Sequence, residues 1–269
     1  MFLQIIRSTL LLCILFFSIL LADDDVNGVK VCDVGDKYGY SAETTKVGEL
    51  VQSIDLGFAN TTGNTNTLNF NGKYTFGYAK KGYDDQPLHM GFNISAFRTE
   101  DESTTTNEEY TAKVYLDQEL KNNWLVYTFA NWLRNEFRNF DNKVIVGAGI
   151  GKVLLDDGKQ VWKAKLGLAY NSEMYSNVQE TERFTSLTQY IEYKNILNKT
   201  SKFYVQAGAS ENFEDFSNDY ELLGVIGLDF IVSTNIHVII QEEVTYDAVP
   251  PIGFKTTDTK SIIRVGYTF

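Results

Sequence analysis

From Glu49 onward the chain alternates apolar and polar residues. In LHMGFNISAF, Leu88, Met90, Phe92, Ile94 and Ala96 fall on one face of an extended strand, and His89, Gly91, Asn93 and Ser95 on the other. The run LNFNGKYTFGY sets Leu68, Phe70, Tyr74, Phe76 and Tyr78 against Asn69, Asn71, Lys73 and Thr75. KAKLGLAY sets Ala164, Leu166, Leu168 and Tyr170 against Lys163, Lys165 and Gly167. The last run sets Ile263, Val265, Tyr267 and Phe269 against Ile262, Arg264 and Thr268. In all, about twelve runs of roughly 10–14 residues are separated by turn chemistry, which predicts about twelve strands. Those near 124–138 and 181–195 alternate less cleanly and are assigned from their length and neighbours.

The connections also alternate. Short turns are expected at Asn122–Asn123, Asp156–Gly158, Asn198–Thr200 and Ser233–Asn235. The connections between them read as longer and polar: TEDESTTTNEE at 99–109, the stretch around NVQETE, NFEDFSND at 212–219, and AVPPIGFKTTD at 248–258. TTGNT at 61–65 is a short exception, and KKGYDDQP at 80–87 is longer than its short counterparts. Short turns at one end and long loops at the other are the habit of membrane barrels, and an even strand count puts both ends of the barrel on the periplasmic side.

Alternation alone does not say which face meets lipid, because a lipocalin-type soluble barrel alternates with its apolar face inside. Size decides. About eight strands enclose a space that side chains just fill, whereas twelve enclose a wider lumen, and an apolar lining there would leave a void. A polar lining can be hydrated or paired, and an apolar exterior is rewarded by lipid, where closure satisfies every backbone group. The expected fold is therefore an all-β, transmembrane antiparallel up-and-down barrel of about twelve strands.

Composition is consistent with this expectation. Hydrophobic residues make up 43% of the 269 and aromatics 14%, with only 3 prolines. The mean hydropathy of -0.20 is too low for a bundle of membrane helices. Residues 1–22 carry Arg7 and then the apolar run TLLLCILFFSILLA, followed at once by Asp23, Asp24 and Asp25. They read as a cleavable signal peptide, the run being too short for a comfortable span. Residues 23–48 read as a polar periplasmic lead-in and 49–269 as the outer-membrane barrel. Cys13 would leave with the signal peptide, so Cys32 has no intramolecular disulfide partner. The formal net charge of -11 becomes -12 without Arg7 and argues against nucleic acid as a partner.

Two stretches resemble a known family. LGFANTTGNTNTLNFNGKYTF, Leu56 to Phe76, carries Gly57-Phe58 followed by Thr62-Gly63-Asn64-Thr65. YDAVPPIGFKTTDTKSIIRVGYTF, Tyr246 to Phe269, carries Pro250-Pro251 with Gly253 before Thr257-Asp258-Thr259. They are similar to the opening and closing hairpins of the YdiY-like family, also called domain of unknown function 481 and described as salt-induced outer membrane proteins. The resemblance spans about residues 48–269. It implies an outer-membrane location and a link to osmotic stress, and supplies no reaction, ligand or catalytic residue. Both motifs are structural: Gly63-Asn64 suits a tight hairpin, and Pro250-Pro251 stiffens a loop that Gly253 lets turn.

Candidate chemistry is sparse. His89 and His237 are the only histidines, on different strands and on the face assigned to the lumen. A Ser–His–Asn hydrolase would need such a His beside a Ser at the outer rim, and two His with one mature Cys supply a zinc site poorly. The acidic loops could hold divalent cations weakly. Gly147, Gly149 and Gly151 lack the GK[ST] of a phosphate loop and more simply leave room for bulky lumen neighbours. No catalytic residue, cofactor or metal is therefore expected. The registers send Lys73, Lys113, Lys163, Lys165 and Arg264 inward, with Asp117, Asp229, Gln241 and Glu243. Such a mixed lining either pairs into a plug or borders a narrow water path, which unpaired lysines would bias toward anions. Val265, Tyr267 and the terminal Phe269 form the expected barrel-assembly signal. The expected protein is a non-enzymatic barrel, structural or a narrow passive channel, and a monomer. Its partners would be outer-membrane lipid, lipopolysaccharide and, during biogenesis, the barrel-assembly machinery. The rival expectations are a surface-binding protein acting through its acidic loops and, more remotely, a barrel-borne hydrolase.

Overall fold

The computed structural model describes residues 47–269 apart from 64–66, 102–103, 136–137 and 177–180. The expected signal peptide, lead-in and Cys32 lie outside the described residues. Twelve strands follow one another: β1 (Leu50–Thr62), β2 (Thr67–Lys81), β3 (Pro87–Asp101), β4 (Thr104–Glu119), β5 (Trp124–Asn135) and β6 (Phe140–Asp156) make the first half. The second half is β7 (Gln160–Tyr175), β8 (Thr181–Asn198), β9 (Ser201–Asn212), β10 (Tyr220–Ile231), β11 (Ile236–Asp247) and β12 (Thr257–Thr268). Each pairs antiparallel with its neighbour in sequence, and β1 pairs with β12, so the sheet closes on itself without an edge. In the closing seam Leu56 sits opposite Val265 and Phe58 opposite Ile263, and the two resemblance motifs become neighbours.

Side chains sort inside out relative to a soluble barrel. Phe58, Ile94, Val114, Leu168 and Ile263 are exposed on the outer surface, Phe58 to 60%. The buried inner face holds lysines, carboxylates, Asn, Ser and Thr together with an apolar cluster that includes Tyr115, Leu125, Tyr127, Phe129, Tyr204 and Val225. Twelve residues or more per strand exceed the 9–11 that cross a bilayer at a tilt. A closed ladder with an apolar exterior leaves no backbone group unpaired toward lipid, which makes this a transmembrane barrel.

The rim where β1 begins and β12 ends is called proximal here, the opposite rim distal. Proximal turns are tight. Asn122 and Asn123 adopt positive φ of 59° and 63° between β4 and β5, the left-handed geometry that a two-residue hairpin turn needs. Asp157, in the β6–β7 turn, accepts backbone N–H bonds from Lys159 (2.9 Å) and Gln160 (2.6 Å), which hold its carboxyl below the usual range. The distal side departs from expectation twice. The polar stretch 99–109 is no long loop: β3 and β4 run on through it, pairing Arg98 with Glu108 and Asp101 with Thr104. Polar residues extend a ladder as well as apolar ones do once its outer face has left the lipid. The run assigned to 124–138 ends at Asn135, and Asn139, with φ of 61°, turns the chain into β6.

Inward glycines make room for inward rings. A Cβ on Gly149 would lie 2.8 Å from the Tyr127 hydroxyl, and one on Gly147 2.5 Å from the Phe129 ring. The alternating glycines of β6 thus form the floor on which Tyr127 and Phe129 lie, stacked 6.2 Å apart.

Candidate functional site: the barrel interior

Twelve strands about 4.8 Å apart, tilted about 40°, put the backbone wall on a circle about 24 Å across. Short linings on that circle would leave a wide water column. Long charged side chains lie here instead, and they meet across the lumen.

At the distal mouth the bridge is widest. Arg138, from the β5–β6 connection, reaches Glu221 at the start of β10 and Asp247 at the end of β11, both at 2.6 Å, with Asp258 of β12 at 4.0 Å. These strands lie almost half-way round the barrel from β5 and β6. Lys143 of β6 joins Glu173 (2.6 Å) and Glu221 (2.9 Å). Phe140 is fully buried beneath, with Arg138 and Lys143 at 5.1 Å and 4.7 Å from its ring centre and Tyr175 stacked at 5.0 Å. Lys260 of β12 bridges to Glu109 of β4, which also accepts from Asn135. Asp219, in the β9–β10 loop above, has its carboxyl pushed up by burial, with Glu173 and Asp247 adding to the effect.

Deeper in, Lys165 of β7 meets Asp117 of β4 at 2.7 Å, with Tyr127 5.0 Å beneath its ammonium. Arg264 donates from Nε to Asn71 (2.7 Å) and lies over Phe97 at 5.7 Å. Toward the proximal rim, His89 pairs with Glu119 (3.0 Å) and His237 with Asp55 (2.7 Å), which also accepts from Ser53 (3.0 Å). A Cβ on Gly266 would lie 2.2 Å from His237 Nε2, so only glycine admits the His237–Asp55 contact there. The Thr268 hydroxyl sits 3.5 Å from His237 Nδ1, outside the 2.6–3.2 Å at which a general base works. The two histidines each serve a separate carboxylate.

Of the residues singled out from sequence, Lys73, Lys113, Asp117, Lys163, Lys165, Asp229, Glu243 and Arg264 are all buried on the inner face. Asp117 and Lys165 are brought together. Arg264 is 1% exposed and engages an amide rather than an acid. Asp229, also 1% exposed, has no hydrogen-bond partner on either carboxylate oxygen. Val265, Tyr267 and Phe269 lie exposed on the outer surface, Tyr267 against Phe269 edge to face at 5.1 Å. Sequence reasoning missed Arg138, Lys143, Glu109, Glu173, Glu221 and Lys260. Strand phase could have found Lys143, because it lies two residues before Ile145 on the face that Gly147 and Gly149 share. Arg138 carries no such signal, since it sits in a connection.

The fold is that of outer-membrane barrels. The NanC porin is 9% identical, with a TM-score of 0.52, over 80% of this chain and 98% of that one. An outer membrane channel from Pseudomonas putida F1 is 12% identical, also with a TM-score of 0.52, over 89% of this chain and all of that one. At these identities the likeness is one of fold. No curated protein matches the sequence. Residues 54–269 match the family described as protein of unknown function, DUF481; the match takes in both hairpin motifs and the barrel from within β1 to the terminal Phe269, and the chain belongs to that family.

Proposed function

We propose that the protein is an outer-membrane barrel serving as a narrow passive pore whose distal mouth is held shut by its own ion pairs. The observation that carries this is Arg138, which leaves the wall at β5–β6 and binds Glu221 and Asp247 on the far side. A purely structural plug needs no such reach, since apolar residues fill a core more stably than buried charges do. Ion pairs across a polar lumen can instead part and be replaced by water. Two proteins of this fold are named a porin and an outer membrane channel, which supports the same reading.

In this proposal residues 1–22 direct export and are removed, and 23–48 lie in the periplasm with the proximal rim. The distal loops face outward among lipopolysaccharide. The protein works as a monomer in lipid, and Val265, Tyr267 and Phe269 are read by the barrel-assembly machinery. The osmotic-stress role that the resemblance implies would suit a pore opened by weakening ion pairs.

The test is conductance in planar bilayers. Wild type is expected to give small, brief currents, and Arg138→Ala currents several-fold larger. Silence in both would show a structural barrel and refute the pore. A second reading, outer-surface binding, is favoured by Phe213 and Phe216, exposed and 6.2 Å apart beside Glu214 and Asp215. It predicts that replacing residues 213–218 abolishes binding to whole cells while leaving conductance intact.

A further inference from the structure

Among the described residues the buried charged side chains are nine carboxylates and eight Lys and Arg. Most of the carboxylates have a donor, and one stands apart. Asp55 holds Ser53 and His237, Asp117 holds Lys165, and Glu109 holds Lys260 and Asn135. Glu173 and Glu221 share Lys143, and Asp247 takes Arg138. Among the described buried carboxylates Asp229 alone has both oxygens without a hydrogen bond. A carboxylate withdrawn from water without partners is expensive, and the expense persists only where something in the site's working life repays it.

Its surroundings fit a cation in passage. Asp229 is on β10 in the proximal half, opposite Ile239 of β11 and Lys202 of β9. His237 is bonded to Asp55 at 2.7 Å, and His237 and Lys202 act on Asp229 through charge alone, with no hydrogen bond to it. Arg264 also has an uncommitted nitrogen, Nη1, but its Nε is bound to Asn71 and its plane lies over Phe97, so it is tethered to the wall.

We infer that Asp229 sets the selectivity of the pore and that the solutes it favours are small monovalent cations. This differs from the anion preference that unpaired lysines would give; Lys165, and with it Lys143 and Lys260, is bound to an acid. A single carboxylate suits one positive charge that keeps part of its water. A divalent ion would demand several oxygens, which the paired neighbours do not release.

The inference rests on the pore reading, and one experiment separates their failures. Reversal potentials are measured across a potassium chloride gradient for the full chain in planar bilayers, in the wild-type and Arg138→Ala backgrounds. Wild type is expected to prefer potassium over chloride. Asp229→Asn should lower the cation-to-anion permeability ratio about 25-fold, because a unit charge felt at about 7 Å with an effective dielectric near 20 and a screening length of about 8 Å changes cation and anion partition about five-fold each, in opposite directions. Asp229→Glu should restore it. Asp229→Asn should also leave the urea midpoint unchanged or raised, because no hydrogen bond is lost; a merely structural aspartate would lower it. Current that prefers chloride, or a ratio unmoved by Asp229→Asn, overturns the inference and leaves the pore standing. No current in either background overturns both.

Discussion

Gly57 lies in the seam that closes the barrel, opposite Arg264 of β12 and Asn71 of β2. A Cβ added there would fall 1.9 Å from the Ile263 carbonyl oxygen and 2.7 Å from the Arg264 Cα. Both are backbone atoms and cannot swing aside as a side chain would. Relieving the first contact to an ordinary 3.4 Å requires β1 and β12 to part by about 1.5 Å, which carries a ladder bond of about 2.9 Å well past the 3.2 Å limit of a good one. Two neighbouring bonds are strained, and each buried backbone group left unpaired costs about 1–3 kcal/mol. Gly57→Ala should therefore destabilise the barrel by about 3 kcal/mol. Gly224 of β10 is the control: nothing lies within 4 Å of its Cβ position, and Ala in a strand interior gains about 0.5–1 kcal/mol over Gly. Urea unfolding in lipid vesicles, followed by tryptophan fluorescence and by the shift between heated and unheated gel samples, reads both. Equal midpoints for Gly57→Ala and Gly224→Ala would refute the argument from close approach, and with it the assigned register of the seam.

Leu168, exposed on the outer surface in the middle of β7, should not tolerate charge: Leu168→Arg is expected to cost about 2–4 kcal/mol in the same unfolding assay, and an unchanged midpoint would put that face outside lipid. Asp219 supplies a pH test. Its carboxyl is pushed above the ordinary 3.8 by burial, so folding favours its neutral form and stability falls as pH rises through the folded value. Asp219→Asn should therefore raise the urea midpoint at pH 7 and match wild type below pH 3.8, where both forms are neutral; a gain that persists at low pH would locate the cause elsewhere.

The strands were legible because their period of two survives wherever one face meets lipid. LHMGFNISAF and the final run state their inner and outer faces outright, and β3 and β12 carry them unchanged. Where the outer face leaves the bilayer, that contrast fades. Thr104 to Glu108 therefore read as loop although the backbone goes on pairing. Arg138 was hidden for a related reason: no periodicity acts on a connection, and its role depends on three strands almost half a barrel away. The inward position of Asp229 can be read from its strand, but its lack of partners cannot. That fact depends on which donors the other carboxylates hold, as Asp55 holds His237.

Those cross-lumen pairs also constrain how the chain can be built. Lys260 and Glu109 belong to strands laid down early and late, and Arg138 joins the midpoint of the chain to its end. None of these contacts exists in a growing row of hairpins. A half-made sheet would hold its lysines and carboxylates apart on a bare concave surface, with nothing to neutralise them. Closing the cylinder and satisfying its contents are thus a single cooperative event, and partial assemblies should be short-lived and readily digested.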